Sequence, residues 1–193
     1  MGALTGLSWG LAGCSPSMDW RDMTLADAHG LVWRLPCKPD EQVRTVQLKG
    51  LAAPVAMHVR SCQLGESTWA LSYLTVPGPA DVVPALTGMQ AALRSNLDAA
   101  AALAPDPQAV SATDLGPAEV PRMTPQAGSR RWLYTLRRPD GLGRPMDMTV
   151  HTWHFSHGLL VVQATAWQPA VDTGGQSGAE LARVFGAGFH FPD

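Results

Sequence analysis

Lysine is almost missing from this 193-residue chain, with only Lys38 and Lys49 standing against twelve arginines. Glutamate is scarce as well, at four residues, and the formal net charge is −2 at pH 7. A chain so balanced lacks the strongly basic face of a nucleic-acid-binding domain, so no nucleic-acid partner is expected. No apolar run reaches the ~20 residues that a membrane-spanning helix needs. Catalytic signatures are also wanting: there is no Gly-x-Ser-x-Gly elbow, no His-Glu-x-x-His and no phosphate-cradling glycine loop. Among the carboxylates, no spacing sets two in one cleft for general acid–base work. The expectation is therefore a protein that is not an enzyme and holds no cofactor.

Cysteine is rare too, and its three positions are informative. Leu11-Ala12-Gly13-Cys14, followed by Ser15-Pro16-Ser17, has the pattern of a bacterial lipobox, with a small residue before the cysteine that becomes the new N-terminus. Residues 1–13 carry Ala3, Leu4, Leu7, Trp9 and Leu11 and no charge, and read as a lipoprotein signal peptide. The basic residue that normally opens such a peptide is absent, so the competing reading is an ordinary N-terminus with a chance cysteine. Lipidation of Cys14 would make the membrane a partner, at ~0.8 kcal/mol for each buried methylene. By the sorting pattern of such lipoproteins, Ser15 in place of Asp directs the chain to the outer membrane, facing the periplasm. Residues 14–29, with Pro16 and three Asp, read as a tether, and 30–193 as one domain. Trp20, within the tether, is expected to dock back on the domain. Cys37 and Cys62 then remain as a pair. They form either a disulfide closing about 25 residues, worth ~3.5 kcal/mol on the chain-entropy model, or two buried free thiols.

Periodicity predicts strands over 31–35, 42–48, 55–62 and 69–76. A helix follows: Asp81 is the candidate cap, and Leu86, Met89, Leu93, Leu97, Ala100 and Ala104 form its apolar stripe up to Pro105. The proline-rich stretch 105–129 reads as a surface excursion with a short edge strand near 120–123. Strands over 131–138, 146–155 and 159–167 form a meander. Ser177 and Glu180, at capping-box spacing, open a second helix, and Phe189-His190-Phe191-Pro192 reads as a brief terminal strand. The fold class is α+β: an antiparallel sheet of about seven strands, in the order four strands, helix, three strands, helix.

This order, with the opening Gly30-Leu31-Val32-Trp33-Arg34-Leu35-Pro36 and the closing Phe189-His190-Phe191-Pro192, resembles the PsbP-like α-β-α sandwich. Leu35-Pro36-Cys37-Lys38-Pro39, with His58 and Cys62 downstream, is similar to a group of proteobacterial envelope lipoproteins of that kind. The resemblance implies a domain that works by binding a larger partner, as extrinsic photosystem II subunits, Ran-binding proteins and secretion-effector chaperones do, rather than by catalysis.

Two clusters are candidate sites. His151, His154 and His157, near Met146 and Met148, suggest copper or zinc, although strand alternation sets His154 opposite His151; the competing reading is hydrogen-bonded or solvated histidines. Arg131, Arg137, Arg138 and Arg144 flank one hairpin and suit an anion or an acidic partner face, against the plainer reading of a solvated strand, with Trp132 and Tyr134 turned to the core. Trp33, Trp69, Trp153 and Trp167 are expected in the core. Function is thus expected to be that of a lipid-anchored, non-catalytic binding or assembly factor for an envelope protein or glycan. The alternative is a periplasmic small-ligand or metal carrier built on the histidines.

Overall fold

The computed structural model describes residues 18–170 and 177–193. Residues 1–13, Cys14 and the opening of the expected tether lie outside the described residues. Two strands, β1 (Arg21–Leu25) and β2 (Leu31–Leu35), pair antiparallel as a separate ribbon. The main sheet contains β3 (Asp40–Val46), β4 (Val55–Leu64), β5 (Ser67–Thr75), β6 (Ser111–Pro117), β7 (Arg130–Pro139), β8 (Pro145–His157) and β9 (Leu160–Pro169). Its spatial order is β3-β4-β5-β9-β8-β7-β6, antiparallel throughout. Helix α1 (Val82–Ala102) connects β5 to β6, and α2 (Gly178–Ala187) follows β9.

Alternation along the long strands gives the sheet two apolar faces. Trp69, Leu71 and Tyr73 of β5, Trp153 and Phe155 of β8, and Val162, Ala164 and Ala166 of β9 pack against the ribbon, α2 and the terminal Phe189 and Phe191. The opposite face buries two clusters under α1. Leu74, Val76 and Val161 meet the first half of the helix, while Tyr134, Leu136, Met148 and Val150 meet Leu93, Leu97 and Ala101 of the second half. The helix stripe is the one its spacing predicts from Leu86 to Leu97, but in the last turn Ala101 is buried in place of Ala100, and the helix ends at Ala102, before Ala104. Its start differs, because Asp81 makes no side-chain cap bond and the chain enters α1 through a 3-10 turn over Pro79–Asp81. Ser177 does cap α2, its hydroxyl accepting from Glu180 N at 3.2 Å. Gly88 is needed where α1 crosses the loop after β3, since a Cβ there would lie 2.7 Å from the Lys49 carbonyl oxygen.

The architecture is α+β with a seven-stranded antiparallel sheet and two helices, but the seven strands are not the expected seven. β2 leaves the main sheet to pair with β1, and β6 supplies the seventh strand. β1 occupies residues expected to be tether: Leu25 and Ala28 are buried, and the register runs from Arg21 opposite Leu35 to Leu25 opposite Leu31. A strand with only Met23 and Leu25 as apolar members carries too weak a pattern to be seen alone, and its pairing with β2 is what specifies it. β6 lies at 111–117 rather than near 120–123. It is exposed and polar, held by the backbone of β7 and by a Ser111–Thr135 hydroxyl bond of 2.6 Å. Val120 is buried outside any strand. The terminal segment contributes a single bridge, His190 to Val32.

Candidate functional site

The ribbon is fastened to the sheet at both ends, and the polar chemistry collects at one of them. At the first, Cys37 just after β2 and Cys62 in β4 are joined in a disulfide with Cα atoms 5.8 Å apart, so the pair is bridged rather than free. At the other, the turn Ala26–Ala28 presents Asp27 to β4 and β5. Tyr73 donates its hydroxyl hydrogen to Asp27 Oδ2 at 2.6 Å, and Arg60 Nε donates to the same Tyr73 oxygen at 3.2 Å. Arg60 also pairs with Glu41 of β3 and lies 3.5 Å from Asp27. The His58 ring stacks on Tyr73 with centroids 5.0 Å apart, and its Nδ1 is 3.5 Å from Asp27 Oδ2.

The electrostatics follow from this geometry. Burial pushes Asp27 upward, but the Tyr73 hydrogen bond and the Arg60 charge outweigh it and hold the carboxyl below its usual range. Tyr73 is pushed up to about 12, by burial first and then by donating to Asp27, against the lowering effect of Arg60. It therefore remains a neutral hydrogen-bond donor at any physiological pH. Two carboxylates face one guanidinium, with His58 at the open side.

His58 is the common wall of two clefts. One, about 250 Å³, is lined by Asp27, Val55, His58, Tyr73 and Pro77 among others; the other, about 110 Å³, by Glu41, Val43, His58 and Arg60 among others. Both fall below the ~300 Å³ at which sites for whole small molecules begin, and suit single side chains of a larger partner. A broader apolar groove of about 420 Å³ over Ala118, Val120, Pro121, Met123 and Pro125 has Glu119 as its only ionisable lining residue.

Beside these clefts runs the sheet edge β3. All of its residues but Val46 are exposed, and Glu41 and Val43 share the ribbon-side face with Arg60 and His58, their cross-strand partners. Val43 is 63% exposed. The opposite edge is built differently: β6 carries a register shift between Asp114 and Pro117, a Gly116 at φ +89° and a proline without an N–H. β3 pairs with β4 over seven residues without a shift and contains no proline. The register shift and the proline are thus confined to β6, while β3 is guarded only by the charges of Asp40, Glu41 and Arg44.

The three histidines do not converge. His154 lies fully buried beneath α1, its Nε2 3.0 Å from Gln163 Oε1, while His151 and His157 face the ribbon side. β8 continues through His157, so His151 and His157 share a face but lie six residues apart, ~20 Å along the strand. His157 Nδ1 is 2.8 Å from the Arg122 carbonyl oxygen and its ring stacks on Phe191. Among the described residues, no group of three or more His, Cys, Asp or Glu side chains is placed to hold a metal ion. The arginines are already engaged. Arg137 pairs with Asp147 at 2.7 Å and with Asp106, Arg138 with Glu66, and Arg144 with Asp140, while Arg131 donates to the carbonyls of Leu115 and Pro117. Trp132 and Tyr134 face the α1 side, and Trp20 docks edge-on to Trp69 at 6.1 Å. Of the four tryptophans expected in the core, Trp33, Trp69 and Trp153 are buried and Trp167 is partly so.

Sequence reading missed Asp27, Arg60, Tyr73 and Glu41 and met His58 only within the resemblance to envelope lipoproteins. These residues come from four elements with up to 46 positions between partners, so no local spacing joins them. No protein-family model matches the chain, and neither a curated protein nor a solved structure shows significant similarity to it.

Proposed function

We propose that this protein is a lipid-anchored, non-catalytic binding factor of the cell envelope, held at the outer membrane through Cys14, which captures an extended segment of a partner along β3. The observation that carries the binding reading is the β3 edge: seven residues, regularly paired on one side only, exposed, and bordered by the Asp27–His58–Tyr73 clefts. An extended peptide adding a strand there gains main-chain hydrogen bonds from the edge, and specificity from side chains that enter the two clefts. The anchoring reading is supported by Leu11-Ala12-Gly13-Cys14. The further reading of the domain as a PsbP-like sandwich is supported by a sheet covered by α1 on one face and by α2 with the ribbon on the other. The carrier alternative has no converging ligand set among the described residues to support it.

Site-specific photo-crosslinking in the native host tests the binding reading. A crosslinking residue at Val43 should give a discrete adduct that a crosslinking residue at Thr113, on the β6 edge, does not. Equal labelling from both edges, or none from Val43, would overturn it.

A further inference from the structure

The end of the domain at which Met18 stands is set by three linked contacts. Trp20 packs on Trp69, two residues from the β4–β5 turn; Glu66 of that turn pairs with Arg138 of β7; and Arg138 stands next to the β7–β8 hairpin that carries Leu142. The C-terminal end of α1 comes to the same place, because its second half packs on Leu136 and Met148, and Asp106 beyond it pairs with Arg137. Three of the six exposed large apolar side chains of the described residues gather here: Met18 at 37%, Leu103 at 74% and Leu142 at 78%. The other three, Val43, Val83 and Leu115, lie on an edge strand, at the start of α1 and on β6.

We infer that this end rests on the bilayer, with Leu142 and Leu103 entering the interfacial layer of the membrane. The inference rests on the proposed acylation of Cys14. Met18 lies four residues after Cys14, which allows at most ~14 Å of chain, whereas the thirteen residues of β8 span ~43 Å. A leash of that length cannot bring the far end of the sheet to the lipid, but it does bring this one. Most charges at this end are paired, Arg21 with Asp19, Arg138 with Glu66, Arg144 with Asp140, and Arg137 with Asp147 and Asp106, which leaves the exposed Lys38 beside Cys37 outside the ion pairs. The contact is therefore apolar and needs no anionic lipid, so neutral headgroups suffice.

The test uses the full chain, purified in its acylated form and bound to phosphatidylcholine vesicles. Single spin labels are placed by Leu142→Cys, Leu103→Cys and, as the control ~30 Å away at the other end of α1, Val83→Cys; the Cys37–Cys62 bridge and the acyl group leave only the introduced thiol reactive. Labels at 142 and 103 should show several-fold lower accessibility to a water-soluble nickel chelate than the label at 83, with higher accessibility to oxygen. Equal nickel accessibility at all three positions, on protein whose mass shows the acyl group, would overturn the inference while leaving anchoring intact. Absence of the acyl mass, with no association with vesicles, would overturn the anchoring reading and the inference with it.

Discussion

His154 offers the sharpest physical test of the fold. It is completely buried between α1 and the sheet, flanked on β8 by the buried Thr152 and Ser156. Its Nε2 meets Gln163 Oε1 at 3.0 Å, so the neutral ring donates there. Burial drives its pKa down to about 4, against weaker raising effects from Gln163 and the backbone of Arg130. The unfolded chain, with an ordinary histidine near 6.5, then binds a proton before the folded one does, and acid favours unfolding. The penalty is absent above pH ~6.5, grows as the pH falls, and is complete near pH 4. At ~1.4 kcal/mol for each unit of pKa difference it amounts to ~3 kcal/mol. Replacing the ring by a group that donates but does not titrate, His154→Gln, removes this acid limb. Urea unfolding of both proteins at pH 7, 5.5 and 4 should show the wild type losing ~3 kcal/mol more than the variant across that range. His151, whose pKa burial also lowers, is present in both and cancels from the difference. Parallel loss of stability in the two proteins would refute the reasoning.

Three further perturbations probe other parts of the structure. Replacing Cys37 and Cys62 together by Ala frees a loop of 25 residues and should cost ~3.5 kcal/mol, seen by calorimetry as a Tm lower by about 10 °C. Gly186→Ala adds a Cβ 2.5 Å from the ring of Trp153; the collision should outweigh the ~1 kcal/mol gain in helix propensity and destabilise by ~1–2 kcal/mol in urea titration. Tyr73→Phe leaves Asp27 without its 2.6 Å donor and Arg60 Nε without its acceptor, and should lower the urea midpoint by an amount equivalent to ~1–2 kcal/mol.

Much of the scaffold was legible because burial imposes periodicity. The stripe on α1, the alternation of Trp132, Tyr134 and Leu136, and the long apolar β9 all face a core, and each left its mark in the chain. What escaped is what burial does not write. β6 is an exposed polar edge held by backbone pairing, and β1 has two apolar residues and a partner ten positions away. The parity argument for His154 proved sound, since a strand fixes which side a residue faces. The site at Asp27 was invisible for a different reason: Asp27 stood in an expected tether, and only the folding of the ribbon across β4 and β5 brings it to Tyr73 and Arg60. The arginine hairpin was correctly located, but its acidic partners Glu66 and Asp106 arrive from distant loops. The Cys37–Cys62 pairing was accessible by counting, because setting Cys14 aside leaves two cysteines.

The central claim, that this domain works at a membrane through an acylated Cys14, is tested most directly by the intact mass of the protein extracted from membranes of its native host, before and after reduction. The account predicts a chain that begins at Cys14, carries acyl mass, and gains two hydrogens on reduction as the Cys37–Cys62 bridge opens. An unmodified chain that retains Met1 would contradict it.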